Sequence, residues 1–173
     1  MMKITARGQT DVGMKRDHNE DYFDSDDELQ LYVVCDGMGG HASGEVASKL
    51  ACENIFNFVR QHQDNPSAEM PYPSYGVEDF DSVLLSNAVQ YGNERVYIEG
   101  MKDSKLEGMG TTLVAMMVAG DRMILAHVGD SRIYRFNTET GDFEGLTRDH
   151  SLLNHKIDLG ELRTEEEIKN FKQ

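Results

Sequence analysis

The chain of 173 residues has no tryptophan, three prolines and only two cysteines. Two cysteines build no disulfide framework, and they point to a reducing compartment. Cations are also scarce: 17 Lys and Arg stand against 31 Asp and Glu, a formal net charge of −14. Such a balance argues against a nucleic-acid or anionic-membrane partner, because either needs a cationic surface. Long apolar runs are missing as well. The longest, 113–119, is far too short to span a bilayer, and the N-terminus MMKITARGQT has no apolar signal core. The expectation is one cytoplasmic globular domain over 1–173, large enough for a sizeable core.

What the chain does have is concentrated in 31–48, LYVVCDGMGGHASGEVAS. Its apolar start, Leu31 to Val34, predicts a buried strand. That strand delivers Asp36 into a turn where Gly37, Gly39 and Gly40 permit close backbone approach, and Ala42-Ser43-Gly44 opens a helix. A carboxylate beside exposed main-chain carbonyls suits a hard divalent cation. Other phosphate chemistries fail at named positions. Gly39 and Gly44 have Walker spacing, but Glu45 and Val46 follow in place of the required Lys and Ser/Thr. A thiol-based phosphatase needs arginine six residues after its cysteine, where Cys35 meets His41 and Cys52 meets Phe58.

Around this stretch, residues 3–12 alternate loosely and predict a first strand. Glu20 and Asp21 follow the basic pair Lys15-Arg16, a plausible pairing of metal ligand with anion receptor. Tyr22 and Phe23 resume strand character, and 24–28 form an acidic hairpin tip without calcium-loop spacing. Apolar residues four apart (Ala47, Ala51, Ile55, Val59) predict a helix over 43–62, and Phe80, Leu84, Ala88, Tyr91 and Ile98 one over 78–99. All three prolines lie in the excursion between them, 63–78. Then the period changes. Strands over 111–119 and 122–128 are joined by Gly120-Asp121, as a type II′ hairpin requires. Shorter strands follow over 131–137 and 143–146, and a helix over 161–171. Little polar alternation implies that both sheet faces are covered. Asp130, after Gly129 at a strand end, is a further candidate carboxylate. Ser131 lacks a His/Asp partner motif, and His127, His150 and His155 lack zinc spacing, so structural roles are expected.

Five motifs occur in order: RDHNED (16–21), VVCDGMGGHASGEVAS (33–48), GMGTT (108–112), VGDSR (128–132) and LTRDHSL (146–152). With them the chain closely resembles the bacterial branch of the metal-dependent, type 2C Ser/Thr protein phosphatases, along nearly its whole length apart from the proline-bearing excursion. The resemblance implies an α+β fold, a four-layer α-β-β-α sandwich of antiparallel sheets flanked by helices, incomplete at its C-terminus. It implies two magnesium or manganese ions, with a looser third in a complete domain. Asp36 would bridge both metals, the Gly37 carbonyl and Glu20 would help bind the second, and Asp130 the looser one. Asp21 would support water at the metals, and Arg16 would hold substrate phosphate. Water activated by the two cations would attack phosphorus without a protein nucleophile. Animal relatives place a histidine where this chain has Met38. Substrates would be phosphoserine and phosphothreonine proteins, products of a Ser/Thr kinase, and a complete domain would be monomeric. Complete domains supply further aspartates on later strands, so the expectation is a domain truncated before those ligands, nearly silent by itself and prone to self-association. The alternative is an inactive half-domain, or pseudophosphatase, acting as a binding module.

Overall fold

A computed structural model describes residues 4–39, 43–73, 76 and 79–171. The expected turn positions Gly40 and Ala42 lie outside the described residues. The chain divides into two compact units, 1–126 and 127–173.

In the first unit, β1 (Asp21–Asp26) and β2 (Leu31–Met38) form an antiparallel hairpin, followed by α1 (Ser43–Asp64) and α2 (Phe80–Lys102). The short β3 (Gly110–Thr111) precedes β4 (Leu113–Ala119) and β5 (Arg122–Val128), which runs across into the second unit. The sheet order is β1-β2-β4-β5, with β3 also paired to β2. Alternation fixes which face is buried. Leu31, Val33 and Cys35 of β2 and Leu113, Ala115 and Met117 of β4 are buried, in one cluster with Ala47, Ala51, Cys52, Ile55 and Val59 of α1 and Leu84, Leu85 and Ala88 of α2. Burial of each large side chain is worth about 1.5–3 kcal/mol. β2 therefore sits centrally, and its direction determines where Asp36, near its end, emerges.

Both cysteines are free and buried. The Cys52 thiol, hydrogen-bonded to Cys35 and desolvated, is pushed well above the ordinary thiol range. A neutral, packed thiol is a poor nucleophile, in keeping with a structural role.

Sequence expectation and structure part at several places. Among residues 4–12 there is no strand. The segment instead crosses the Phe23 ring so closely that a Cβ on Gly8 would fall 1.9 Å from Phe23 Cε2. α2 starts at Phe80, because Asp79 caps it by accepting from the Ser82 N–H. The sheet face opposite the helices is not fully covered: Val34 of β2 is 46 % exposed. Gly120 takes φ +65°, as the glycine-first hairpin requires.

The excursion after α1 is held by polar bonds. Buried His62, 4 % exposed, places Nδ1 2.8 Å from the Phe58 carbonyl and Nε2 3.2 Å from the Glu69 carbonyl. Its ring stacks on Phe58 with centroids 4.0 Å apart. Farther along, the Tyr72 N–H donates to Asn87 Oδ1 at 2.8 Å.

The second unit carries a two-stranded sheet, β6 (Tyr134–Phe136) with β7 (Phe143–Gly145), then α3 (Leu152–Asp158) and α4 (Glu165–Asn170). α3 was not evident in the sequence pattern; Ser151 caps it by accepting from the Asn154 N–H. The helix expected over 161–171 is shorter, since Thr164 and Glu167 form a reciprocal capping box that fixes its start. Among the described residues, no helix is long and apolar enough to cross a membrane. Antiparallel sheets flanked by helices place the chain in the expected α+β class.

Candidate functional site

The hairpin register puts Asp21 opposite Asp36, so the first residue of β1 and the end of β2 present two carboxylate residues at one sheet edge. Glu20 precedes Asp21 and is fixed through its backbone. Its carbonyl accepts from the Gly37 N–H at 3.1 Å and from the Ser48 hydroxyl at 2.6 Å. Ser48 belongs to α1, so strand edge and helix start are tied through one oxygen. The fit is close: a Cβ on Gly37 would lie 2.1 Å from the Gly44 carbonyl oxygen and 2.6 Å from that of Glu20. A Cβ on Gly44 would lie 2.5 Å from Glu20 Oε1. Gly37, whose neighbours are backbone atoms, requires glycine for close approach, as the sequence implied; at Gly44 a Cβ would push aside the Glu20 carboxylate.

Asp36 is pinned on its backbone by Thr112. The Asp36 N–H donates to Thr112 Oγ1 at 3.1 Å, and the Asp36 carbonyl accepts from the Thr112 N–H at 2.8 Å. Asp21 is held by its side chain, with Oδ2 accepting from the Thr10 hydroxyl at 3.1 Å, while its N–H donates to Asn19 Oδ1. The Asn19 amide in turn donates to Thr10 Oγ1 at 2.8 Å.

Arg16 Nη1 lies 3.7 Å from Glu20 Oε2, with the guanidinium side chain 64 % exposed and the Glu20 side chain 18 %. An open depression of about 370 Å³ is lined here by Lys15, Arg16, Asp17, His18, Glu20 and Gly39. Thus Arg16, Glu20, Asp21, Asp36 and Gly37 come together at the start of β1, the end of β2 and the start of α1. Asp130 belongs to the second unit, exposed in the turn after β5, where Gly129 takes φ +98°. Ser48, Thr112, Thr10 and Asn19 went unrecognised in the sequence reading. All but Thr10 lie inside the quoted motifs, but their side-chain bonds leave no periodic signal.

The donors at the edge are carboxylate and carbonyl oxygens, the chemistry preferred by magnesium or manganese over softer metals. Among the described residues, no three His, Cys, Asp or Glu side chains group closely enough to hold an ion between them. The edge therefore fits a hard divalent cation that keeps part of its water shell.

Residues 13–155 match the family model for protein phosphatase 2C. The Ser/Thr phosphatase stp of Listeria welshimeri is 34 % identical over 164 residues, covering 93 % of this chain and 60 % of that protein. The crystal structure of the Mycobacterium tuberculosis Ser/Thr phosphatase PstP/Ppp superposes with a TM-score of 0.69 at 34 % identity, over 91 % of this chain and 60 % of that one. The PstP catalytic domain in complex with two manganese ions gives 0.68 at 33 % identity, over 91 % and 61 %. This chain thus spans about 60 % of the length of these relatives. A family model matching 13–155 takes in the glycine-rich strand end, the Thr112 clamp and the Asp130 turn alike, and by that match the chain belongs to the protein phosphatase 2C family.

Proposed function

We propose that this chain serves in the hydrolysis of phosphoserine and phosphothreonine in proteins, carrying the N-terminal portion of a type 2C catalytic domain over 1–173. The observation that carries the reading is the assembly of Glu20, Asp21, Asp36 and the Gly37 backbone at one edge, held by backbone and hydroxyl bonds. Asp36, Glu20 and the Gly37 carbonyl would hold magnesium or manganese there, and Asp130 a looser ion. The manganese pair in the PstP complex supports the choice of metal. Divalent cations would supply charge neutralisation and a lowered pKa for water.

The chain's own residues do the rest. Arg16, half-engaged with Glu20, turns its guanidinium to phosphate oxygens, which it meets with paired N–H donors. Asp21, held by Thr10, orients water through its remaining lone pairs. Met38 has no proton to give, so the leaving group takes its proton from water or from another group. Phosphoproteins made by a Ser/Thr kinase are the proposed partners, and the cytoplasm the proposed location.

The test is manganese-dependent hydrolysis of an aryl phosphate and of phosphopeptides by a complete domain that contains this chain, with Asp36→Asn as the site variant. Turnover by the asparagine variant at the parent rate would remove the assignment. The alternative reading is a non-catalytic binding module. Calorimetric titration separates the two. Weak manganese binding without turnover supports the module, and two-site binding with robust turnover supports the enzyme.

A further inference from the structure

The motif LTRDHSL has no task in the proposed reaction, yet within the second unit it runs along the segment that carries Asp130. His127 Nε2 donates to the Arg148 carbonyl at 2.9 Å. Gly129 and His150 bond reciprocally: the Gly129 N–H donates to His150 Nδ1 at 3.3 Å, and the His150 N–H donates to the Gly129 carbonyl at 2.9 Å. Arg132 Nε and Nη2 donate to the two oxygens of Asp149, each at 2.6 Å. The Ile133 N–H donates to Thr147 Oγ1 at 3.0 Å, and the Leu146 N–H to the Ile133 carbonyl at 2.8 Å. The His127 and His150 rings lie 4.5 Å apart. Asp130 therefore stands between two anchored positions, Gly129 and Arg132.

We infer that Asp149 and His150 are positioning residues for Asp130, fixing the Gly129–Asp130 turn from either side. The inference rests on the proposed reading of Asp130 as a ligand of the looser cation. Gly129 at φ +98° lies where side chains are disfavoured, so little but its partners defines the direction in which the next residue leaves. A donating N–H fixes Nδ1 of His150 as the acceptor, which sets the tautomer. On the other side, the two-oxygen pairing is the geometry a guanidinium makes and an ammonium does not. That pairing also holds the Asp149 carboxyl below its ordinary range and so keeps it anionic.

The test uses the whole chain and two substitutions at one position. His150→Asn places Oδ1 where Nδ1 stood and keeps an acceptor; His150→Leu removes it. Hydrogen exchange of the Gly129 amide, followed by NMR, is expected to match the parent in the asparagine variant. In the leucine variant it should run roughly five- to tenfold faster, the loss expected for one modest hydrogen bond. Amides of α3 and of β6–β7 serve as the check on folding. Equal Gly129 exchange in all three proteins overturns the inference.

Manganese chloride alone supplies the second readout. Paramagnetic broadening of the Asp130 and Ser131 amide signals should appear in the parent, weaken in His150→Leu and return in His150→Asn. Equal broadening in the three proteins counts against positioning. If the parent shows none, the reading of Asp130 as a ligand fails, while Gly129 exchange still decides whether His150 fixes the turn. Should the leucine variant lose the amide pattern of its unit, Asp149→Asn replaces it. Faster exchange of the Arg132 Nε–H is then expected, and an unchanged rate overturns the Asp149 half of the inference.

Discussion

Gly37→Ala is the sharpest probe of the strand edge. The added methyl would lie 2.1 Å from the Gly44 carbonyl oxygen, 2.5 Å from the Gly44 carbonyl carbon and 2.6 Å from the Glu20 carbonyl oxygen. Cβ atoms essentially never approach another heavy atom within 3.0 Å, so the nearest contact must open by at least 3.0 − 2.1 = 0.9 Å. All three neighbours are backbone, with no flexible side-chain end to swing aside. Overpacking of this kind costs about 1–3 kcal/mol, and backbone neighbours place Gly37 at the upper end. For a chain of this size, about 3 kcal/mol corresponds to roughly 6–12 °C in Tm. Opening the edge also stretches the 3.1 Å bond from the Gly37 N–H to Glu20 and the Ser48 link to the same oxygen. Thermal unfolding by circular dichroism measures the first effect and manganese titration the second. Gly110→Ala is the control, because its methyl meets only the mobile end of Met38, at 2.9 Å. A Gly37→Ala melt within about 1 °C of the parent would refute the reasoning.

Three further outcomes are expected. Arg16→Ala should weaken inorganic phosphate binding by about tenfold and leave manganese affinity nearly unchanged, since the guanidinium meets anions and not cations; an unchanged phosphate affinity removes Arg16 from the site. His62→Leu removes the ring whose nitrogens face the Phe58 and Glu69 carbonyls and which stacks on Phe58, and should cost about 1–3 kcal/mol in denaturant unfolding, with exchange of the excursion's amides rising first. Asp26 has its carboxyl lowered, first by the Leu29 N–H and also by Arg60. Its contribution is thus fully present above the unfolded carboxylate pKa and lost as pH falls through the lower folded value, and Asp26→Asn should flatten that acid limb of the stability curve.

Much of this protein was legible one residue at a time. The β-favouring run at Leu31 to Val34, the four-residue spacing from Ala47 to Val59 and the glycine-first turn at Gly120 each state a local geometry, and each is found. Chemistry was legible where it depends on residue type at close spacing, as in Glu20-Asp21 and Asp36-Gly37. Segments whose conformation is decided by distant contacts were not. Residues 4–12 alternate like a strand, but the Phe23 ring lies against Gly8 and no ladder forms there. Strand 131–137 shrinks to Tyr134–Phe136, and just before it the Ile133 N–H turns to the Thr147 hydroxyl instead of to a neighbouring strand. The site shows the same division. Sequence named its carboxylates; tertiary structure decided that Ser48 would hold Glu20 from 28 residues away and Thr112 would hold Asp36 from 76. Hydrophobic period is a property of neighbours along the chain, whereas a hydroxyl donating across such a separation depends on strand register and helix packing, which no local pattern encodes.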